Sequence, residues 1–361
     1  MRKTLIALAV LGLSAGFAHA QSNVTIYGVV DGGYVKETGT DLAMGANNES
    51  RIGFRGSEDL GGGLKATFQL EQRLSIANGI NTGRENSNNN MYDFLNLGST
   101  DWKGAANIGL AGNFGQVRFG RVDNLGIESY RKIDPFNHYS VGAALVATGN
   151  VLYAEQLSNT VRYDSPNWSG FSFGLSWTLA NNDNEGNLNQ VGLPYSQIGN
   201  HGWNINLQYD NGPLLLMGNY WRLADSNNSD AWNLGAAYKF GDVRISLGYQ
   251  DSELDILDII PGFDARIKQR DAILGLQWDI GPGQLNASVN YGKAKMDNNS
   301  YSEKAFKYSV GYTYNLSKRT AIYGIASYLD SDDELIGAMY SMGGTPRSSH
   351  TAFQLGMTHK F

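Results

Sequence analysis

The sequence predicts an all-β protein, a transmembrane antiparallel up-and-down β-barrel of about 16 strands. Three observations carry that expectation. Apolar residues alternate with polar or small ones along most of the chain, and the connections between these segments are alternately short and long. Beyond the first twenty residues no apolar run approaches the ~18 residues that a spanning helix needs. Composition agrees: only 17% of the 361 residues are charged, against roughly 25% in soluble domains, while the chain holds 45 Gly, 20 Tyr, 14 Phe and 7 Trp.

The amino terminus reads as an export signal. Arg2 and Lys3 give a short basic region, Leu5 to Leu13 an apolar stretch, and Ala18-His19-Ala20 a small-x-small cleavage triplet. Residues 1–20 are therefore expected to leave as a signal peptide, with 21–361 forming the barrel. The formal charge of −6 becomes more negative when Arg2 and Lys3 go, which argues against nucleic acid as a partner. The absence of cysteine removes thiol nucleophiles, disulfides and thiolate metal sites.

Taken in order, period-two segments run over 23–36, 51–56, 65–73, 105–111, 116–120, 159–164, 172–178 and 203–209. They continue over 215–222, 232–240, 243–250, 271–278, 285–295, 304–314, 320–329 and 350–361. In Lys65 to Arg73, Ala66, Phe68 and Leu70 share one face while Lys65, Thr67, Gln69, Glu71 and Arg73 share the other, a separation that only a strand makes. Gly, Asn, Asp and Pro fill the tight turns because they supply the φ values required, as in Asp210-Asn211-Gly212-Pro213 and Ile280-Gly281-Pro282-Gly283. The long connections are 37–50, 75–104, 121–158, 179–202, 223–231, 251–270, 296–303 and 330–349. In outer-membrane barrels the short turns face the periplasm, with both termini, and the long loops face outward. Closure follows because an open sheet in a medium without water leaves two unpaired edges. Tyr27, Trp177, Trp203, Tyr209, Trp221, Trp232, Tyr238 and Trp278 lie near strand ends where interfacial girdles would form, and each taken singly reads equally as a core or lumen aromatic.

Several stretches resemble the Gram-negative general porins, especially their β-proteobacterial branch. These are Val24-Thr25-Ile26-Tyr27-Gly28, Ser50 to Ala66 (SRIGFRGSEDLGGGLKA), Gly115-Gln116-Val117-Arg118-Phe119-Gly120-Arg121, Asn159 to Pro166 (NTVRYDSP) and the terminal Gly356-Met357-Thr358-His359-Lys360-Phe361. The resemblance spans essentially the whole mature chain. It implies a homotrimer of 16-stranded barrels in the outer membrane, each with a water-filled pore narrowed by the third long loop folding inward. It also implies a ladder of wall arginines opposed by acids on that loop.

Arg51 and Arg162 match two ladder positions, and alternation separately turns both toward the lumen, because Ile52, Phe54, Val161 and Tyr163 take the lipid face. The third ladder position falls on Gly104, beside Lys103 on the other face. Arg55, Arg73 and Arg118 also read as lumen-facing; pairing with Glu71 or neighbouring acids is the alternative reading. Asp123, Glu128 and Asp134 are the candidate opposing acids, and Arg131 and Lys132 lie among them. The terminal Phe361 closes an outward row of Phe353, Leu355 and Met357, which the resemblance implies is read by the barrel-assembly machinery.

No HExxH, P-loop or nucleophile elbow is present, and the calcium-like loop 181–192 ends in Gly192 where a chelating Glu belongs. No cofactor, metal or catalytic residue is expected. The function expected is a passive channel for small hydrophilic solutes and ions, mildly anion-selective; alternatives are a porin selective for one solute class, or a barrel enzyme or adhesin. Loop acids including Glu37, Asp41, Glu49, Asp332, Asp333 and Glu334 are assigned to the outer mouth, beyond electrostatic reach of the constriction, where divalent cations would bridge them to lipopolysaccharide phosphates.

Overall fold

The computed structural model describes residues 23–79, 102–148, 155–179, 201–223, 229–255, 266–296 and 302–361. The expected signal peptide and the calcium-like loop 181–192 lie outside them. The strands are β1 (Asn23–Glu37), β2 (Ala43–Gly45), β3 (Ser50–Gly61), β4 (Leu64–Leu74), β5 (Ala105–Gly112), β6 (Gly115–Asp123), β7 (Gln156–Asp164), β8 (Phe171–Thr178) and β9 (Gly202–Asn211). They continue as β10 (Leu214–Arg222), β11 (Asp230–Phe240), β12 (Val243–Asp255), β13 (Arg266–Ile280), β14 (Gly283–Met296), β15 (Ser302–Asn315), β16 (Thr320–Ser331) and β17 (Ser349–Lys360). Short helices α1 (Leu125–Arg131), α2 (Leu145–Thr148) and α3 (Glu334–Tyr340) sit in the long connections.

Each strand pairs antiparallel with its sequence neighbours, and β1 pairs with β17 to close the ring. β2 and β3 lie along the same edge of β1, so seventeen elements make a closed barrel of 16 strands. Side-chain bonding explains that interruption. Ser50 Oγ donates to the Asp31 carbonyl and accepts from the Asp31 N–H, both at 2.9 Å, and Asp31 Oδ1 takes the Asn47 N–H at 2.8 Å. These bonds satisfy the backbone where the ladder is broken.

All 16 period-two segments are strands. The ladder runs past the alternation in β12 and β13, which extend to Asp255 and back from Arg266 into a stretch expected as loop. The periplasmic turns are tight: Gly212, Gly241 and Gly281 each open a two-residue hairpin at φ 59°, followed by Pro or Asp. A positive φ in the first turn position suits strand twist and is cheap only for glycine.

Burial is the reverse of a soluble protein's. Val24, Ile26, Ile108, Leu207, Leu234, Leu247 and Leu355 are exposed, while Asn204, Asn219, Asn233, Gln250, Gln269 and Gln354 are buried inside. Two residues leave the expected girdles. Trp221 is fully buried against the inserted loop, and the Tyr27 hydroxyl donates to Glu71 at 3.0 Å in the lumen. The expected Trp203 and Trp232 pair on the outer surface with Tyr220 and Tyr249, and Tyr291 pairs with Phe306, with ring centroids 4.9 to 5.3 Å apart.

The ring closes at the last residue. Gly28 and Phe361 exchange backbone hydrogen bonds of 3.2 and 3.1 Å, and the Phe361 ring covers Gly28, where a Cβ would collide with it. Deleting Phe361 removes both bonds and the outward aromatic, so the heat-modifiable, folded fraction in outer-membrane preparations should fall. A yield equal to that of the unaltered chain would show that the terminal residue is dispensable.

Candidate pore constriction

The segment between β6 and β7 crosses the inside of the barrel. Its first turn is specified locally: the Asn124 side chain caps α1 by accepting from Gly126 N–H at 2.9 Å, and Arg131 stands in the last turn, facing the negative end of the helix dipole. Beyond α1, one carboxylate gathers the chain. Asp134 accepts the N–H groups of Phe136 at 2.9 Å, His138 at 3.0 Å and Ala144 at 2.9 Å. Asn137 and His138 are thereby held in left-handed conformations, φ 52° and 67°. Burial raises the Asp134 carboxyl pKa, and the three amide donors oppose that rise.

The barrel wall is shaped to receive this loop. Glycines occupy lumen-facing positions where the loop presses closest. Ile133 and Tyr130 fill the place of a side chain at Gly248 on β12, Pro135 does so at Gly275 on β13, and Leu125 does so at Gly174 on β8. Polar anchors flank these contacts: Ser246 Oγ donates to the Ile133 carbonyl at 2.6 Å, Asn219 Nδ2 to Ser129 Oγ at 2.6 Å, and Lys307 Nζ to the Ala143 carbonyl at 2.9 Å. Gln354 on β17 accepts the Val141 N–H at 3.1 Å. The loop therefore lines the wall from β8 to β17, and the open side of the lumen is bounded by β1 and β3–β7.

That remaining wall carries the expected arginines, in unequal circumstances. Arg162 is 4% exposed: it pairs with Asp164 at 2.7 Å, reaches Glu128 on α1 at 2.7 Å, and donates to the Asp123 carbonyl at 2.9 Å. It ties the wall to the inserted loop. Arg118 meets Asp164 at 2.7 Å. Arg73 is buried between Glu49 and Glu71, the second at 2.7 Å. Arg51 stands 3.7 Å from Glu71 with about a quarter of its side chain exposed, and Arg55 is exposed with its guanidinium 5.0 Å from the Tyr27 ring centre.

The acids separate likewise. Glu128 faces Arg162 with 43% of its side chain exposed. The Asp123 side chain accepts from Gln156 at 3.1 Å, across the β6–β7 ladder. Asp134 differs from expectation. Its side chain is fully buried and spent on loop amides, so it opposes no wall arginine and meets no passing ion. Glu37 and Glu49 also depart from the assignment to the outer mouth. Glu37 is buried and accepts from the Met342 and Gly343 N–H groups, and Glu49 is buried against Arg73.

The alternative reading of Arg73, pairing with Glu71, is the one the structure shows; Glu49, Asp164 and Glu155 are partners that the sequence reading does not name. Glu49, Glu71, Asp164 and Glu155 cancel much of the arginine charge, with Glu155 meeting Arg131 at 3.3 Å and the Tyr139 hydroxyl at 2.9 Å. Gly104 has a physical reason to be glycine here: a Cβ would strike Glu71 and lie 2.7 Å from Arg73 Nε. The Arg73–Glu71 pair fills the space that a third ladder side chain would need.

If the glycine seat holds the loop, filling it should release the loop without opening the barrel. Gly248→Val places carbon atoms against Tyr130 and Ile133, both buried; overpacking of this kind costs about 1–3 kcal/mol. Faster amide exchange over 125–146 and a changed single-channel conductance are expected, with heat-modifiability retained. Exchange and conductance identical to the parent's would show that the seat is not what holds the loop.

Comparison with known proteins agrees with this architecture. A family description for Gram-negative porins matches residues 7–334. The chain is 31% identical to an outer membrane porin protein of Bordetella pertussis and 33% identical to outer membrane porin protein 32 of Delftia acidovorans, with each chain covered in full. Among solved structures it is similar to an anion-selective porin from Comamonas acidovorans, with TM-score 0.74 and 26% identity over 94% of this chain and 100% of that one. With a closed 16-strand barrel, an inverted polar interior and a loop lining the lumen, the chain belongs to the Gram-negative porin family, the outer-membrane channels for passive diffusion of small hydrophilic solutes and ions.

Proposed function

We propose that the mature chain, freed of residues 1–20, works as a homotrimer whose pores pass small hydrophilic solutes with a mild preference for anions. The observation that carries the preference is the asymmetry of the lumen. The inserted loop covers the β8–β17 wall, and the free wall bears Arg51, Arg55, Arg73, Arg118 and Arg162. A guanidinium stays charged at any physiological pH, and low-dielectric walls around a narrow water column strengthen its field.

The preference is mild because of the pairing. Arg73, Arg118 and Arg162 are neutralised at contact distance, so Arg162 acts chiefly as the tie that sets the width of the pore. Arg51 and Arg55 retain the most exposure, and Lys132 on the loop, bonded to Gln208 at 2.7 Å, adds an exposed cation. Weak, distributed sites suit permeation better than one tight site, since an ion must also leave. The likeness to the anion-selective porin from Comamonas acidovorans supports the sign. Assembly through Phe361 with the barrel-insertion machinery, and contact with outer-membrane lipid and lipopolysaccharide, belong to the same reading.

Reversal potentials across planar bilayers test the assignment. Arg51→Gln with Arg55→Gln should move the potential toward cations, whereas Glu128→Gln, which removes one of the two carboxylates on Arg162, should move it toward anions. Both shifts should fade in 1 M salt, where the Debye length is about 3 Å. Unmoved potentials in inserted channels would place the filter elsewhere.

A further inference from the structure

Between the underside of the inserted loop and the short turns of β13–β14 and β15–β16 lies a recess of about 300 Å³, roofed by Pro135, Phe136 and Asn137. Its wall is the lumen face of β14, β15 and β17, where Gln284, Asn286, Thr313 and Thr358 present amides and hydroxyls. The charged residues of its lining, Asp279, Lys318, Arg319 and Lys360, stand at the periplasmic rim. Inner wall and rim therefore differ in chemistry.

The inner wall holds an acceptor with nothing to accept. Asn286 is 9% exposed, and its Oδ1 is buried without a hydrogen-bond partner. A buried oxygen left so is costly, and an incoming O–H relieves it. The ladder sets Gly311 opposite Asn286, and Cε1 of the Phe136 ring lies 3.1 Å from where a Gly311 Cβ would stand. An aromatic edge and an unpaired amide oxygen thus flank one spot, a combination that suits a ring bearing both C–H and O–H groups. Asn137, held at φ 52°, is exposed in the roof above it.

The rim is cationic. Asp279 is already engaged, by Lys239 at 3.1 Å and by Gln284 Nε2 at 2.8 Å, while Lys318, Arg319 and Lys360 form no ion pair among the described residues. Phe361 turns its terminal carboxylate to the Gly28 N–H on β1, at 3.2 Å. Arg319 and Lys360 are fastened side by side, since the Lys360 N–H donates to the Arg319 carbonyl at 2.8 Å. Lys360 shares the inward face of Thr358, two residues earlier, which is buried in the lumen. Asn286 is three residues from the turn at Gly283, about 10 Å at the rise of a strand, a gap that a six-carbon ligand and a flexible arginine bridge together.

We propose that this recess is a binding site for a sugar acid, a monosaccharide-sized polyol with one carboxylate, between the constriction and the periplasm. The sugar hydroxyls meet Asn286 Oδ1, Thr313 and Asn137, and the carboxylate lies on Arg319 and Lys360. The site rests on the channel reading, which brings the solute into the lumen, and it names a solute class. It is separate from the arginine wall of β3–β7. That wall acts on any anion through its field, whereas the recess reads hydroxyls and charge together.

The test is equilibrium binding of D-glucuronate to the full-length mature protein in neutral detergent, followed by saturation-transfer NMR, with conductance in planar bilayers recorded on the same preparations. Glucuronate should bind about tenfold more tightly than glucose, which lacks the carboxylate, and than acetate, which lacks the hydroxyls. Asn286→Leu should weaken glucuronate and glucose alike, about fivefold, through the loss of one neutral hydrogen bond. Arg319→Gln with Lys360→Gln should weaken glucuronate about tenfold and leave glucose unchanged, while Arg319→Lys with Lys360→Arg should retain binding. If Asn286→Leu lowers the folded yield, the rim pair decides alone, because both of its side chains are exposed. Acetate bound as tightly as glucuronate would mark a plain anion patch and overturns the proposal, and so does glucuronate binding that neither set of substitutions weakens. Conducting channels that bind no glucuronate overturn the site and leave the channel reading intact. Binding in preparations that never conduct counts against the channel reading instead.

Discussion

Everything in this molecule depends on one constraint: in hydrocarbon, each backbone N–H and C=O must find a partner within the protein. The antiparallel ring meets it through the β1–β17 pairing, sealed by the reciprocal bonds between Gly28 and Phe361. Once the ring is closed, alternation sends one set of side chains to lipid and the other to a common lumen. The exposed Leu and Ile residues and the buried Asn and Gln residues are two consequences of that arrangement.

A lumen lined with amides and hydroxyls would be a wide pore of little selectivity. The loop from Asn124 to Thr148 changes that, and it does so by packing. Glycines at Gly174, Gly248 and Gly275 let the loop approach the wall, while Ser246, Lys307 and Gln354 satisfy its exposed backbone. The same burial that holds the loop brings Glu128 to Arg162. Width and charge are therefore coupled, because an ion pair that fixes the gap also removes two charges from the field within it.

The outside of the barrel follows a different electrostatic logic. Inside, Arg73, Arg118 and Arg162 each have an acid at contact distance. On the outer rim of β13–β15, lysines face lysines across the ladder, and the compensating charge has to come from the surroundings.

Much of the architecture was legible in the chain because period-two alternation and turn chemistry act locally. Lys65 to Arg73 displays its two faces without reference to any other strand, and Gly212, Gly241 and Gly281 mark their turns by backbone preference. The lumen-facing direction of Arg51 and Arg162 was readable for the same reason. Glu128 was readable as an acid opposing the wall, but most of the other pairings were not. Glu49 sits 24 residues from Arg73 in sequence, and Gly104 reads as a missing arginine until Glu71 and Arg73 are seen filling its place. Asp134 looked like an acid for the pore, but the loop folds back on it and consumes its oxygens with amides from up to ten residues away. Periodicity determines which face a residue takes. Which residues of that face meet across a closed ring depends on register and on where an inserted loop comes to rest, and only the tertiary structure decides those.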